Sequence, residues 1–576
     1  MTPRNQDGSL NILLGGAAGQ GIQTIEQGLT RLLKQAGYHV FACKEYMSRI
    51  RGGSNSTRIR LASIPVAAPL ERIDLFIPLD REAFVRLSPQ LSEQTLVLGD
   101  RNQLPEHPGL VHLPFDGIAE EAGNTRYAGS VAIGAVLGLL GTCLEQLDDY
   151  LRQQFADRKP AVIAGNRVAA SAGYRFGRQL QERELLPAAP QRLASVAGDL
   201  LLSGTEAIAL GALAEGCNFI ASYPMSPGTG VLTFLAQQAE EFALVVDQAE
   251  DEIAAVNMAL GAWYAGARAL VSTSGGGFAL MSEGLSLAGV TESPLVIHLA
   301  QRPGPATGLP TRTAQEDLEL ALYSGHGEFP RLVLAPGSLQ EAFSLTRRAF
   351  DRADACQVPA ILLTDQYLVD SLGNLPALDM HDLQPRHHIV ETDKDYLRYR
   401  ITENGLSPRG LPGHGTGLVC LDSHEHDEQG HISEDLALRV VMSDKRQRKG
   451  ELLLHQAVVP QWLGSGECRV LAICWGSTLH ALREALQQLR DLPVAGLHFS
   501  QVFPLPPETE QLLQRAPCRV VIEGNRTGQF ARLLEQSCGL PIHQQILKYD
   551  GLPFSVEELA RRLREVIEAA SNPTGE

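Results

Sequence analysis

The chain has 576 residues, of which 44% are hydrophobic and 20% are charged, and it carries a formal net charge of −17 at pH 7. Several domains are expected, because this length exceeds what one hydrophobic core usually supports. The acidic balance argues against nucleic acid or an anionic membrane as the main partner, and the lack of a long apolar run or a signal-peptide pattern predicts a cytoplasmic protein.

The first part of the chain has the pattern of an α/β domain. Its predicted elements are a strand at 10–14, a helix at 22–36, and strands at 75–79 and 95–98. The polar, proline-containing stretch 181–192 is typical of a linker, so we place this domain at 1–190.

A second α/β domain is expected over 195–375. Its predicted elements are a helix at 201–214 and strands at 218–223, 243–247, 269–273, 295–299 and 360–364. Because strand and helix patterns alternate, we predict a parallel, doubly wound sheet flanked by helices. Residues 376–455 are polar, histidine-rich and weakly periodic, which is typical of an irregular connecting segment. A last α/β domain is predicted over 456–576, with a strand at 470–474.

The nine cysteines are scattered, and their closest spacing, Cys468 to Cys474, gives no CxxC pair. Iron–sulfur clusters need grouped thiolates, so we predict no cluster on this chain and buried, reduced thiols instead. The stretch HEHDEQGH contains His424, His426 and His431, but its spacing fits no metal-ligand pattern. No metal ligand is predicted here.

A glycine-rich turn, GGAAGQG at 15–21, joins the first strand to the first helix. Glycines there let the backbone approach a phosphate, but the G-x-G-x-x-G spacing is not met, so a tight packing turn is an equal alternative. Positive charge is concentrated further along, beside a glycine pair, and indicates either a solvated face or an anion site. These cations are Lys44, Arg49, Arg51, Arg58 and Arg60.

Polar side chains follow several predicted strands of the second domain, where folds of this kind bind ligands. Ser226 lies in a loop that Pro224 and Pro227 stiffen, although a rigid turn would have the same residues. Glu252 leads into a helix that is apolar on most sides, so burial could tune its carboxylate; a favourable contact with the helix dipole is the alternative. Arg302 follows a buried strand and precedes a loop rich in proline and glycine, which suits recognition of a carboxylate.

Taken in order, these motifs resemble the 2-oxoacid:ferredoxin oxidoreductases over nearly the whole chain. The segments GGAAGQGI and IRGGSN, with Asn124 and Gly129, are similar to the γ domain of that family, here fused ahead of the α part. Four further segments resemble the pyrimidine-binding domain of that family's α subunit: SGTEAIALGAL, YPMSP, AEDEIAAVNMALGAWYAGARALVSTSGGGFALMSEG and QRPGPATGLPT. The segment HEHDEQGHISED resembles the connecting segment of the 2-oxoglutarate-type members. FPLPPE and EGNRTGQ resemble the transketolase C-terminal-like domain.

The resemblance implies a role for each residue of a shared thiamine site. Glu252 matches the glutamate that bonds the thiamine aminopyrimidine and so activates the cofactor. Arg302 matches the arginine that holds the substrate carboxylate, and Ser226 stands where relatives have threonine, which keeps the hydroxyl and drops a methyl group. Tyr223 and Gly276 are expected to line the same site on the substrate and cofactor sides, respectively. Arg312 is a candidate second cation for a dicarboxylic substrate.

The resemblance also implies partners. No GDG motif for the diphosphate and magnesium is present in this chain, so a β subunit is expected to hold Mg²⁺, most of the thiamine diphosphate and a [4Fe-4S] cluster. We expect an (αβ)2 heterotetramer that passes electrons to ferredoxin. The γ domain is associated with coenzyme A, and its candidate contacts are Arg49, Arg51, Gly52 and Arg58.

The fused arrangement and GPATGLPT resemble the 2-oxoglutarate enzymes, so the expected reaction interconverts 2-oxoglutarate and coenzyme A with succinyl-CoA, CO₂ and reduced ferredoxin. In the reverse direction this is a step of the reductive TCA cycle. Pyruvate or a branched-chain 2-oxoacid is the first alternative. A self-sufficient thiamine lyase or transketolase, or a non-catalytic subunit that binds coenzyme A or a nucleotide, is a further one.

Overall fold

The computed structural model describes residues 8–47, 53–381, 383–464 and 466–571. The chain divides into two compact units. The first unit comprises Met1–Ser203, Asp370–Ala377 and Ser555–Glu557, and the second comprises Gly204–Val369, Leu378–Phe554 and Glu558–Glu576.

The strands are β1 (Ser9–Ala17), β2 (His39–Glu45), β3 (Ser54–Ala62), β4 (Leu75–Pro78), β5 (Leu96–Gly99), β6 (Leu110–His112), β7 (Leu200–Ser203), β8 (Phe219–Ser222), β9 (Val245–Gln248), β10 (Ala269–Thr273), β11 (Leu295–Gln301), β12 (Leu332–Leu334), β13 (Pro359–Asp365), β14 (Leu372–Leu375), β15 (Gln461–Leu463), β16 (Val470–Trp475), β17 (Val494–Phe499), β18 (Gln501–Phe503), β19 (Cys518–Glu523) and β20 (Gln544–Leu547). The α-helices are α1 (Ile22–Gln35), α2 (Arg81–Leu87), α3 (Phe115–Glu121), α4 (Ala128–Leu139), α5 (Leu144–Gln154), α6 (Pro160–Glu182), α7 (Gly204–Ala214), α8 (Thr229–Gln237), α9 (Glu252–Tyr264), α10 (Gly275–Leu280), α11 (Ser282–Val290), α12 (Leu318–Tyr323), α13 (Leu339–Cys356), α14 (Gln366–Asp370), α15 (Leu436–His455), α16 (Leu479–Gln488), α17 (Thr509–Leu513), α18 (Gln529–Cys538) and α19 (Val556–Ser571).

The first unit is built on a mixed sheet with the strand order β6-β5-β4-β1-β3-β2-β14-β7. The predicted strands at its start are present, and helix α1 follows the glycine turn as expected. Helices α4 and α6 cross closely, because a Cβ on Gly134 would lie 2.1 Å from the carbonyl oxygen of Ala170 and one on Gly173 would lie 2.1 Å from that of Val131. Only glycine permits this approach of the two backbones.

The helix predicted at 201–214 is wrong in its first turn. Leu200–Ser203 form strand β7, which pairs antiparallel with β14, and helix α7 begins only at Gly204. The apolar run of leucines is compatible with a strand or a helix, and the distant pairing with Leu372–Leu375 decides between them.

The second unit contains two sheets of the predicted α/β kind. One has the order β18-β12-β13-β11-β10-β8-β9, in which every neighbouring pair is parallel except β18 with β12. The other has the order β15-β17-β16-β19-β20. Long runs of fully buried residues, such as Leu295–Gln301, are typical of parallel strands covered by helices on both faces. The predicted fold class is confirmed, while the division into four domains stays a prediction.

The connecting segment is only partly irregular. Residues 436–455 form the helix α15, against the prediction. Its charged side chains concealed the helix, because two lysines that would ordinarily face solvent are buried on it. Lys445 donates to both oxygens of Glu292 over 2.6 and 2.8 Å, and Lys449 pairs with the same carboxylate. These buried ion pairs, rather than an apolar stripe, join the helix to the rest of the unit.

All nine cysteines are free. Four are buried (Cys217, Cys356, Cys468 and Cys474), whereas Cys143 is exposed, so the expectation of uniformly buried thiols is wrong at that position. Among the helices of the described ranges, none is long and apolar enough to span a membrane.

Candidate active site

The candidate site lies at the carboxyl ends of four neighbouring strands, β11, β10, β8 and β9. These strands are parallel, so the loops that leave them meet at one edge of the sheet. The loop after β8 contains Tyr223 and Ser226, and the loop after β11 contains Arg302. Gly276 lies in the first turn of helix α10, which follows β10, and Glu252 begins α9 after β9. The topology thus brings the residues predicted from separate motifs to a common place.

Arg302 and Ser226 are in direct contact. The Nη1 of Arg302 donates a hydrogen bond to the backbone carbonyl oxygen of Ser226 over 2.6 Å. Burial lowers the pKa of Arg302, and the negative field of Asp317 opposes this change. The Ser226 loop thus holds the guanidinium at the site. Ser226 itself is exposed, and Tyr223 in the same loop is 41% exposed.

The two acidic residues at the start of α9, Asp251 and Glu252, differ in their hydrogen bonds. Asp251 is the N-cap, and its carboxylate accepts a hydrogen bond from the Ala254 N–H over 2.7 Å. Glu252 is 3% exposed, and its Oε1 is buried without a hydrogen-bond partner. Burial raises the pKa of Glu252, and the charge of Asp251 adds to the effect. Because Asp251 already caps the helix, the carboxyl group of Glu252 is available for another function.

Three glycines at the start of α10 shape the floor of the site. A Cβ on Gly277 would lie 2.2 Å from Thr273 Oγ1 and 2.5 Å from Glu252 Oε1. On Gly276, in contrast, the nearest atoms would be the carbonyl oxygen of Ala306 and the sulfur of Met225, both at 3.9 Å. Gly277 therefore makes room for Glu252, whereas Gly276 faces open space between the loops that contain Met225 and Ala306.

A buried chain of hydrogen bonds supports the Ser226 loop from below. Thr364 Oγ1 lies 2.8 Å from His298 Nε2, and His298 Nδ1 lies 2.8 Å from Ser272 Oγ. Ser272 Oγ in turn donates to the carbonyl oxygen of Gly228, also over 2.8 Å. Burial lowers the pKa of His298 to about 3, so the ring is neutral and can accept one hydrogen bond while donating another. The chain spans three neighbouring strands, and this arrangement fixes the position of the loop.

The loop after β11 folds back on itself. The Leu309 N–H donates to the Pro303 carbonyl oxygen over 3.0 Å, and Gly308 has a φ of +52°. A Cβ on Gly308 would lie 1.8 Å from that carbonyl oxygen, so glycine is required here. Arg312 ends this turn, and its Cβ would lie 3.1 Å from a Cβ on Gly551. Its role as a second substrate cation stays a prediction.

Sequence reasoning missed two polar groups beside the three glycines that begin α10, Gly275, Gly276 and Gly277. Ser274 is 0% exposed, and its Oγ has no hydrogen-bond partner; the Oδ2 of Asp317 is likewise buried without one. Asp317 lies against Gly275, where a Cβ would approach Oδ2 to 2.5 Å. Neither residue has a distinctive local pattern, since a serine after a strand and an aspartate before a helix are ordinary. Together with Glu252 Oε1, they make three buried polar atoms at the start of α10 that have no hydrogen-bond partner.

The glycine-rich turn of the first unit, GGAAGQG at 15–21, forms one wall of a separate cleft. Its Ala17 N–H donates to Gln20 Oε1 over 2.8 Å and to Asp80 Oδ2 over 2.7 Å. Gln20 thus folds into the turn, as in the packing alternative. The cleft also contains buried Glu26, whose carboxylate pairs with Lys44 over 3.1 Å. Burial raises the pKa of Glu26, while Lys44 and Thr57 lower it.

The predicted cations of this unit have different surroundings. Arg58 donates to the Leu70 carbonyl oxygen over 3.1 Å and also bonds Gln90. Arg60 is buried and donates to the Ala68 carbonyl oxygen over 2.9 Å, so it does not belong to a solvated face. Arg49, Arg51 and Gly52 lie outside the described residues. Across the ranges that the structure describes, no three His, Cys, Asp or Glu side chains are grouped so that they could hold a metal ion.

Two family models match the chain. Residues 210–445 match the model described as pyruvate flavodoxin/ferredoxin oxidoreductase, thiamine diP-binding, and residues 11–176 match pyruvate ferredoxin/flavodoxin oxidoreductase. A 2-oxoacid:ferredoxin oxidoreductase subunit alpha from Sulfolobus sp. is 31% identical, and the alignment covers 97% of each chain. The chain belongs to the 2-oxoacid:ferredoxin oxidoreductases, as an α subunit.

Other 2-oxoacid:ferredoxin oxidoreductases and their relatives refine this comparison. The 2-oxoglutarate oxidoreductase subunit KorA of Mycobacterium tuberculosis is 32% identical over 76% of this chain and 68% of its own. A solved structure of the 2-oxoglutarate:ferredoxin oxidoreductase from Magnetococcus marinus, with 2-oxoglutarate, coenzyme A and succinyl-CoA bound, superposes with a TM-score of 0.91. It is 29% identical, and the match covers 98% of this chain and 100% of that one. The region of this chain that matches the thiamine diphosphate-binding family model, residues 210–445, contains the strand ends described above.

Proposed function

We propose that this oxidoreductase interconverts 2-oxoglutarate and coenzyme A with succinyl-CoA, CO₂ and reduced ferredoxin. The observation that carries the proposal is the pairing of Arg302 with the Ser226 loop, at the same strand ends as Glu252, whose buried Oε1 has no hydrogen-bond partner. An arginine for a carboxylate and a buried acid for a cofactor are what decarboxylation of a 2-oxoacid requires. The KorA relatives and the Magnetococcus marinus enzyme support 2-oxoglutarate as the substrate.

Thiamine diphosphate fits the residues that are present. Glu252 offers a buried carboxyl oxygen without a partner, Gly277 leaves the space that this side chain occupies, and Gly276 keeps the neighbouring volume open. When bound, the cofactor supplies a nucleophilic carbon for the oxo group and an electron sink for the loss of CO₂. Glu252 would hold the aminopyrimidine ring through a nitrogen. Its raised pKa favours a shared proton, since a neutral carboxyl group can donate to that nitrogen.

The remaining residues position the substrate. Arg302 has donors beyond the one given to Ser226, and these suit the C1 carboxylate of a 2-oxoacid. The exposed hydroxyl of Ser226 and the half-exposed ring of Tyr223 would contact the same molecule from the loop after β8. We assign the second carboxylate of 2-oxoglutarate to Arg312. Coenzyme A is assigned to the first unit, with Arg49, Arg51, Gly52 and Arg58 as candidate contacts.

A β subunit completes the enzyme in this proposal. It would bind most of the thiamine diphosphate together with Mg²⁺, contain a [4Fe-4S] cluster and pass electrons to ferredoxin, within a cytoplasmic (αβ)2 assembly. The reverse reaction, reductive carboxylation in a reductive TCA cycle, needs a donor of sufficiently low potential.

The test is to purify this chain together with a β subunit of the same family from the same organism and to measure ferredoxin reduction with coenzyme A. The assay compares 2-oxoglutarate, pyruvate and a branched-chain 2-oxoacid, each with and without coenzyme A. The proposal expects a brown complex with the highest kcat/KM for 2-oxoglutarate and a strict requirement for coenzyme A. Preference for pyruvate would correct the substrate, and turnover by the α chain alone would refute the shared site.

A further inference from the structure

Asp317 is a carboxyl group of the site that ordinary structural roles do not explain. It occupies the N-cap position of α12, yet its side chain accepts no capping hydrogen bond there. An aspartate at an N-cap normally bonds the amides of the first turn. Here the carboxyl group lies instead against Gly275, where a Cβ would meet Oδ2 at 2.5 Å and Oδ1 at 2.7 Å.

The position of Asp317 is fixed by the strand that leads to Arg302. Its backbone N–H donates to Gln301 Oε1 over 3.0 Å, and Gln301 is anchored by a hydrogen bond from its Nε2 to the Thr364 carbonyl oxygen, also over 3.0 Å. Gln301 is the last residue of β11, and Arg302 comes next in the chain. The backbone of Asp317 is thus tied to the residue that immediately precedes Arg302, and the charge of Arg302 acts on the carboxyl group.

In the first turn of α10, the two outer glycines, Gly275 and Gly277, each lie against an acidic side chain. Gly277 makes room for Glu252 and Gly275 makes room for Asp317, and in both acids one buried oxygen has no hydrogen-bond partner. The two carboxyl groups therefore stand at opposite ends of the same turn. Glu252 is on the side that we assign to the cofactor, and Asp317 is on the side of Arg302.

The charges around Asp317 come from three elements. Arg302 follows β11 and attracts its ionised form, whereas Glu316, the preceding residue, repels it. Glu316 is itself held by the loop after β11, because its Oε2 accepts a hydrogen bond from the Gly304 N–H over 3.0 Å. Glu252, at the start of α9, is the acid at the other end of the turn. Burial is the largest influence and raises the pKa of Asp317 to about 7, so the group changes charge near neutral pH.

We propose that Asp317 is a positioning residue that controls how firmly Arg302 holds the substrate carboxylate. A neutral Asp317 leaves the guanidinium to the substrate, whereas an ionised Asp317 competes with the substrate for the same positive charge. Two carboxylates that share one cation in a partly buried site disfavour each other's ionised forms. This inference rests on the proposed function, since it requires a 2-oxoacid bound at Arg302.

The test is the pH dependence of KM and kcat for 2-oxoglutarate, measured on the αβ complex from pH 6 to 8. With the wild-type chain, KM should rise about tenfold over this range, because the fraction of neutral Asp317 falls by about that factor around a pKa near 7, and kcat should change little. Asp317→Asn, which stays neutral, should keep the low KM at every pH. The matched control Glu319→Gln, on the same helix α12 and paired with Arg532 at the surface, should retain the rise.

Two outcomes overturn the inference: a wild-type KM that does not rise, or the same rise in Asp317→Asn. If the asparagine variant fails to assemble with the β subunit, Asp317→Ser is judged by the same criteria. Failure of the proposed function looks different, because then neither the wild type nor the control oxidises a 2-oxoacid at any pH.

Discussion

The guanidinium of Arg302 reaches from the end of one strand to the backbone carbonyl oxygen of Ser226 at the end of another, over 2.6 Å. This contact joins two loops that are separated by 76 residues in sequence. It uses a carbonyl oxygen rather than the serine hydroxyl, so the hydroxyl stays available to a ligand. The pair therefore contributes two different groups to the site, a charge and a hydroxyl, with one hydrogen bond fixing their separation.

Replacing Glu252 by glutamine should abolish cofactor activation while leaving the fold intact. The amide cannot share a proton with the ring nitrogen in the way that we propose for the acid, so kcat for ferredoxin reduction should fall by roughly 10²–10⁴-fold. Glu250→Gln is the matched control, because Glu250 is exposed two residues earlier. Equal activity of the Glu252 variant and the control would refute the assigned role. Co-purification of the β subunit checks assembly in both.

The adjacent glycines Gly276 and Gly277, at the start of α10, permit a comparison of two neighbouring substitutions. Gly277→Ala would place a methyl group 2.2 Å from Thr273 Oγ1, and such overpacking costs about 1–3 kcal/mol, so the Tm should fall by several degrees. Gly276→Ala meets no atom closer than 3.9 Å and should leave the Tm unchanged while weakening the binding of thiamine diphosphate. Scanning calorimetry and cofactor titration separate the two effects. A stable Gly277 variant with full activity would contradict the packing argument.

Arg302→Lys should raise the KM for every 2-oxoacid. Lysine keeps the positive charge but loses the planar pair of donors, and a hydrogen bond to a charged group is worth about 1.5–3 kcal/mol. The expected increase in KM is therefore roughly 10–150-fold. Steady-state assays of the αβ complex measure it. An unchanged KM would mean that Arg302 does not contact the substrate.

Arg312→Gln should distinguish dicarboxylic from monocarboxylic substrates. If this side chain binds the second carboxylate, KM for 2-oxoglutarate should rise about tenfold or more, since a hydrogen bond between charged groups is lost. KM for pyruvate, which has a single carboxylate, should stay the same. A parallel rise for both substrates would show a general effect on the loop and would remove Arg312 from the substrate site.

Glu292→Gln should strongly destabilise the second unit. The variant leaves Lys445 and Lys449 buried without their carboxylate, and breaking a buried ion pair costs about 3–5 kcal/mol. The exposed residue Glu434 offers a control, Glu434→Gln, which should leave the Tm near the wild-type value. A Glu292 variant that melts with this control would refute the structural role of the cluster.

The same cluster predicts a pH dependence of stability. Burial opposes ionisation of Glu292, but Lys449 and Lys445 outweigh it and lower its pKa from 4.5 to about 2. A lowered folded-state pKa means that the contribution is fully present above about pH 4.5 and is lost as the pH falls toward 2. Thermal unfolding of the wild type between pH 6 and 3 should reveal a loss of Tm that Glu292→Gln lacks in part. Identical slopes for the two proteins would contradict this assignment.

Most of the second unit's sheet could be predicted from the sequence, because buried parallel strands are continuous apolar runs bounded by turn residues. Ala269–Thr273 was expected at those residues and is strand β10. The errors occur where a distant partner decides the structure. Leu200–Ser203 is a strand only because β14 pairs with it, and α15 is held by ion pairs to Glu292 that no local pattern reveals.

The site was partly predictable for a similar reason. Strand ends that follow apolar runs indicated Ser226 and Arg302, and the structure brings the two into contact. Asp317 was not predictable, since an aspartate before a helix is ordinarily a cap and only the folded structure shows that it does not cap. Arg58 was selected for its charge, and its hydrogen bond to the Leu70 carbonyl oxygen depends on the fold and could not be predicted from the local sequence.

Strand β18 is the edge strand of the sheet that contains the candidate site, and it lies far from the other strands of that sheet in sequence. Val333 in β12 pairs antiparallel with Phe503, more than a hundred residues later in sequence. A fragment truncated before Gln501 would keep the proposed catalytic residues but leave β12 with unpaired backbone groups. We expect such a fragment to self-associate, which sedimentation would detect. We therefore expect the shortest fragment that folds independently to extend beyond the family match at 210–445 and to include β18.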